Sequence, residues 1–332
     1  MRRILAGVVL LAVAGCGGTR PAAAPPAGPT DTPSSTTSGP HGAGRFGPGS
    51  ATATIVRWRL PEPVAREVIA SASGTRVIVA GGMRADDTST ARSYRLDLST
   101  GRTTSAPALA VPVHDAAGGA WAGLPGVFGG GNASEQSVVQ QLRGGRWRVV
   151  AHLPTTRSDL SVAEVAGATY VLGGYDGSSV PRPVLRQRSG AGLVPAGSLR
   201  HGVRYAASAV VGRDVYLFGG EVAGRELGVV QRYDARTGRT AAVARLPHPL
   251  GHAMAASIAG RVLLMGGHTS PTGRTARMWW FDPSSGRFRH AGRLPRPLSD
   301  AAVAVAGSSV MLLGGEDPAV TDRVVRVVVH PR

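Results

Sequence analysis

Val215-Tyr216-Leu217-Phe218-Gly219-Gly220 is an apolar run closed by two glycines, and five other stretches repeat it. They are Val77–Gly82, Gly126–Gly130, Tyr170–Gly174, Val262–Gly267 and Val310–Gly315. The first glycines fall at 81, 129, 173, 219, 266 and 314, so the intervals are 48, 44, 46, 47 and 48 residues. A period of that length marks repeated supersecondary units. About a dozen residues before most of the pairs lies a second apolar stretch, such as Ala206–Gly212 or Asp300–Gly307. Gly74-Thr75, Gly212-Arg213, Gly260-Arg261 or Gly307-Ser308 separates the two stretches, which makes each a β-hairpin.

A polar loop of variable length follows each glycine pair, then a third apolar stretch and a second turn. That turn reads Asp97 to Gly101-Arg102, Asp234 to Gly238-Arg239 and Asp282 to Gly286-Arg287. Aspartate bonds the turn backbone and glycine takes its left-handed corner, so the pattern has a mechanism. A fourth stretch runs to a Leu-Pro pair at Leu153-Pro154, Leu246-Pro247 and Leu294-Pro295. Four antiparallel strands in each of six units predict an all-β, six-bladed propeller.

From about Ala51 to Arg332 the chain resembles the kelch family, through the glycine pairs and the later Tyr or Phe of each repeat. It departs in its aromatics. Trp147 stands where the family carries Trp, whereas Thr240 and Phe288 do not match, and the third repeat is degenerate over Val184–Leu193. Val329-His330-Pro331 aligns with Phe281-Asp282-Pro283, one strand short of a full repeat. Thr52–Leu60 supplies the missing strand and is expected to close the last blade beside Arg323–Val329, leaving no open edge.

Composition agrees with such a fold. Among 332 residues there are 47 glycines and 24 prolines, which suit tight turns and oppose helices. The glycines follow no three-residue period, which excludes a collagen-like chain. All 37 basic residues are arginine, and the net charge is +17. A total absence of lysine reads as codon bias in a GC-rich genome, so the charge is weak evidence for nucleic acid, and no nucleic-acid partner is expected.

Met1-Arg2-Arg3 followed by apolar Ile4–Ala14 reads as an export signal, too short to span a bilayer. Val13-Ala14-Gly15-Cys16 resembles the bacterial lipobox, which implies lipidation of Cys16, the one cysteine of the chain. The expected organisation is a signal peptide over 1–15, lipidated Cys16 with a Pro/Gly/Ser/Thr-rich linker over 16–50, and a propeller over 51–332. The linker has too little apolar material to offset its ordering entropy. The expected location is the outer side of the cell membrane, held by the lipid, with the protein as a monomer.

The topology sorts the loops. The residues leading into each first strand are Arg66, Asp115, Asp159, Tyr205, His252 and Asp300. Those just beyond each glycine pair are Met83, Asn132, Tyr175, Glu221, His268 and Glu316. These positions should ring one mouth of the central channel, acidic and aromatic, suited to a polyol, a sugar or a cation. The opposite face collects Arg76, Arg102, Arg143, Arg146, Arg213 and Arg287 among others. The histidines and acids come from separate loops without short ligand spacing, so no metal and no other cofactor is expected.

A non-catalytic scaffold that binds a protein or a glycan is the leading expectation. The alternative is a cofactor-free carbohydrate enzyme resembling the periplasmic sialic-acid epimerases, with Glu221, Glu316 and His252 as acid–base groups. Chemistry of the galactose-oxidase kind needs a Tyr–Cys crosslink, and Cys16 belongs to the lipobox. Neither the sialidase Asp boxes nor a Ser-His-Asp triad, P-loop or dinucleotide fingerprint occurs.

Overall fold

Each apolar run before a glycine pair becomes the second strand of a four-stranded antiparallel sheet, and six such sheets form the blades of a β-propeller. The structure is a computed structural model describing residues 49–188 and 192–330. The expected signal peptide, Cys16 and the expected linker as far as Pro48 lie outside the described residues. In blade 4 the strands are Ala207–Val211, Asp214–Phe218, Val229–Asp234 and Arg239–Arg245, paired in that order. Second strands read as unbroken apolar runs because both of their faces meet neighbouring blades. Val215, Phe218, Leu263, Leu264 and Val310 are accordingly inaccessible to solvent. The core is therefore a set of interblade layers: Tyr216 and Phe218 of blade 4 pack with Leu264 and Phe281 of blade 5, and Val79 and Leu96 of blade 1 pack with Met311 and Leu313 of blade 6.

Blade 6 closes as the repeat register requires. Ala302–Ala306, Ser309–Leu313 and Val324–Val329 are joined by Ala51–Ile55, with Ala51 opposite Val329 and Ile55 opposite Val325. The strand ends at Ile55 rather than Leu60, although Leu60 N–H still donates to Asp322 C=O at 2.9 Å. The weak third repeat forms its outer hairpin all the same, from Pro183–Gln187 and Leu193–Ser198.

The glycine pairs join one blade to the next. The second glycine of each donates to a carbonyl of the following blade's approach: Gly82 to Val113, Gly130 to Arg157, Gly174 to Val203, Gly220 to Leu250 and Gly267 to Leu298, at 2.7–2.9 Å. Gly315 donates to Val64 at 3.0 Å and so completes the ring. A Cβ on the first glycine of each pair would collide with that same carbonyl. Only glycine lets the backbones approach this closely at positive φ.

Candidate functional site

Arg66, Asp115, Asp159, Tyr205, His252 and Asp300 occupy one position in each blade, and all have φ between 51° and 57°. A left-handed conformation costs a residue with a side chain about 1–2 kcal/mol. Here it lets five of the six N–H groups reach the preceding ring member. Asp159 donates to Asp115, Tyr205 to Asp159, His252 to Tyr205, Asp300 to His252 and Arg66 to Asp300, at 2.8–3.2 Å. The six side chains line a cavity of about 140 Å³, which lies over a channel of about 460 Å³ walled by the alanine-rich first strands. Strained backbone concentrated around one cavity is a recurrent mark of a functional site.

A second tier stands beside the ring. Met83, Gly131, Tyr175, Glu221, His268 and Glu316 pair with the residues preceding each ring position, namely Ala65, His114, Ser158, Arg204, Gly251 and Ser299. In blade 2 the equivalent residue is Gly131, because the sequence there runs through three glycines. Asn132 lies one place farther out and is exposed, which corrects its expected place in the tier.

The mouth is an ion-pair network rather than a plain acidic ring. Arg66 reaches Asp115 at 3.0 Å, Glu316 at 3.2 Å and Asp300 at 3.8 Å. Arg204 Nε lies 2.7 Å from Asp159 Oδ2, and its guanidinium sits 4.5 Å from the ring centres of both Tyr175 and Tyr205. Arg274 holds the other oxygen of Glu316 at 2.6 Å. Tyr205, His252 and His268 form a continuous stack, with centroids 3.7 and 4.4 Å apart. His252 Nδ1 meets Asp300 Oδ1 at 2.7 Å, and its Nε2 lies 3.7 Å from Glu221. Among the described residues, four buried polar atoms of residues lining this cavity have no hydrogen-bond partner: Arg66 Nε, Glu67 Oε1, Asp159 Oδ1 and Asp300 Oδ2. For Arg204 Nε the contact with Asp159 is close but lacks hydrogen-bond alignment.

Protonation follows from these surroundings. Burial and the charge of Asp115 push Asp159 up to about 7, against the pull of Arg204. Burial opposes charge on His252, but the hydrogen bond and charge of Asp300 outweigh it and raise the imidazole above its ordinary value. His268 is lowered by burial and by His252. Burial would also raise Asp300, yet His252 and Arg66 hold it below the usual carboxylate range.

Sequence reasoning missed Arg204, Arg274, His114 and Glu67. Arg204 and His114 directly precede ring positions and Glu67 directly follows one, so scanning the neighbours of each ring residue would have found them. Glu67 is buried, with Oε2 receiving the Tyr94 hydroxyl at 3.1 Å, Oε1 unpartnered, and its carboxyl pKa pushed up to about 8 by burial. The other blades have Ala116, Leu160, Ala206, Ala253 and Ala301 at that place.

Donor atoms of His268, Asp300 and Glu316 lie within 4.8 Å of one another, a spacing compatible with a cation. Arg66 and Arg274 already neutralise Glu316, and their positive charge disfavours a metal there.

No protein-family model matches the chain, and no curated protein matches its sequence. Among solved structures, one described as the structure of YjhT superposes with a TM-score of 0.69 at 17% identity, covering 80% of this chain and 95% of that one. At that identity the likeness carries the fold.

Proposed function

We propose that the protein is an exported, lipid-anchored propeller of the kelch type, and that its mouth is a non-catalytic binding site for a polar ligand, a glycan or a polar protein loop. The observation that supports this most is the set of four unpartnered buried polar atoms around one cavity. Each costs about 1–3 kcal/mol when left unmatched, and ligand hydroxyls would satisfy Asp159 Oδ1 and Asp300 Oδ2 while a ligand oxygen would satisfy Arg66 Nε. The Tyr205–His252–His268 stack offers a flat apolar face beside them, as sugar rings require. A glycan array with the propeller should give selective binding that Asp159→Asn abolishes. Binding that survives this substitution would move the site elsewhere. The anchor is tested separately: Cys16→Ser should release the protein from the membrane fraction, and full retention would refute lipidation.

One observation favours the enzymatic alternative. Asp159 near 7 and a basic His252 are groups able to give and take protons at neutral pH. Following any sugar selected by the array for anomer or epimer interconversion by NMR distinguishes the two readings.

A further inference from the structure

The face opposite the mouth is built differently. On it, Arg76, Arg102, Arg143, Arg146, Arg213 and Arg287 end hairpins and have no ion-pair partner among the described residues, whereas Arg236 and Arg261 pair with the turn acids Asp234 at 4.0 Å and Asp282 at 2.6 Å. At the mouth, by contrast, Arg66, Arg204 and Arg274 are each paired with acids that are buried or nearly so. Codon bias accounts for how many arginines the chain has, but not for which of them keep their charge unmatched.

Two crevices open toward this face at equivalent places in blades 1 and 5. The first, about 650 Å³, is lined by Arg76, Arg95 and Arg102 with the hydroxyls of Ser71, Ser73 and Thr104. Its one acid, Asp97, is occupied by the Ser99 and Thr100 amides of its own turn. The second, about 420 Å³, is lined by Arg261, Arg287 and Arg289 beside Trp280 and Phe288. There Asp282 forms its ion pair with Arg261, at 2.6 Å, and leaves the other two arginines unmatched. Guanidinium groups with hydroxyls and an apolar wall suit a phosphate carried on a fatty chain.

The course of the chain selects the occupant. The closing strand Ala51–Ile55 starts opposite Val329, the end of its blade's third strand, and His330 N–H donates to Ser50 C=O. Third strands run from the mouth to the opposite face. The polypeptide therefore enters the propeller on the arginine face, 33 residues after Cys16.

We propose that this face docks on an anionic phospholipid bilayer, with lipid phosphates in the two arginine crevices, so that the mouth points away from the membrane. The choice of a bilayer as the occupant rests in part on the lipid-anchor reading; the test does not, because it is run without the lipid. The chain from Gly17 to Arg332 retains the closed propeller and has no cysteine. It should co-sediment with vesicles of 70% phosphatidylcholine and 30% phosphatidylglycerol at least about tenfold better than with phosphatidylcholine alone, and lose this preference in high salt. The variant R76E/R95E/R102E should lose most of the binding while melting like the parent. R287E/R289E provides a second variant should the first fold poorly. A dye on Thr75→Cys, at a hairpin tip of this face, should shift its emission on anionic vesicles, whereas one on Ser178→Cys, on a mouth loop, should not. Equal binding to both vesicle types, full binding by both variants, or capture of soluble polyphosphate without capture of vesicles would each overturn the proposal.

Discussion

Glu67 shows at the scale of one residue how the mouth departs from the repeat. Its carboxyl titrates near 8 in the folded protein against an ordinary 4.5, so the folded state holds a proton that the unfolded chain has released. For a raised acid, that contribution is unfavourable above the unfolded value and grows as pH rises from about 4.5 to about 8. Glu67→Gln should therefore stabilise the protein by roughly 2–4 kcal/mol at pH 9 and change little at pH 4.5, as read by denaturation across pH. A difference independent of pH would show that Glu67 is not held protonated. Glu316 offers the opposite case. Glu316→Gln removes the partner of Arg274 and one of the three acids paired with Arg66, and should cost about 1–3 kcal/mol, whereas Glu221→Gln, whose ion-pair contact is with His252 at 3.7 Å, should stay within about 0.5. Equal urea midpoints for the two variants would remove the arginine network from the account. The ring residues were legible in the sequence because strand register carries them at a fixed offset. Arg274 was not, since it lies in a polar loop whose length changes from blade to blade, and Asn132 was misplaced by the extra glycine of its own loop.

At the scale of the element, the glycine pair is what the sequence displayed most clearly, and its physical role explains why. The first glycine of a pair must be free of a side chain for a reason beyond its φ, and two positions separate these effects. Gly219 has φ 61° and faces the Leu250 carbonyl, while Gly224 has φ 73° and open space, with nothing within 4 Å of the place a Cβ would take. Gly224→Ala should cost only the conformational term, about 1 kcal/mol. Gly219→Ala adds a collision with the neighbouring blade and should cost about 3 kcal/mol or more. Comparable losses in chemical denaturation would mean that the interblade approach is slack. The outer strands were harder to read, as in repeat three, because their exposed faces need no apolar alternation. Pro183–Gln187 forms its strand largely from pairing with neighbours on both sides rather than from its own pattern.

At the scale of the whole molecule, the ring is closed by one short strand that arrives from the other end of the chain. Ala51–Ile55 covers the edge of Val324–Val329, and just ahead of it Gly49 C=O receives the Trp280 indole at 2.8 Å. Beyond it, Arg59 meets Asp322 at 3.1 Å, so the segment fastens blade 6 from both ends of the strand. Opening this edge would expose unpaired backbone along a run of valines, the arrangement that invites pairing between copies. Deleting Ala51–Leu60 should therefore lower the melting temperature by roughly 10 °C or more and make the loss depend on protein concentration. Deleting Gly17–Pro48, which spares the Gly49 carbonyl, should move it by no more than about 2 °C. Were the two deletions to melt alike, blade 6 would hold with three strands, and the stability of the ring would have to come from the glycine contacts between blades alone.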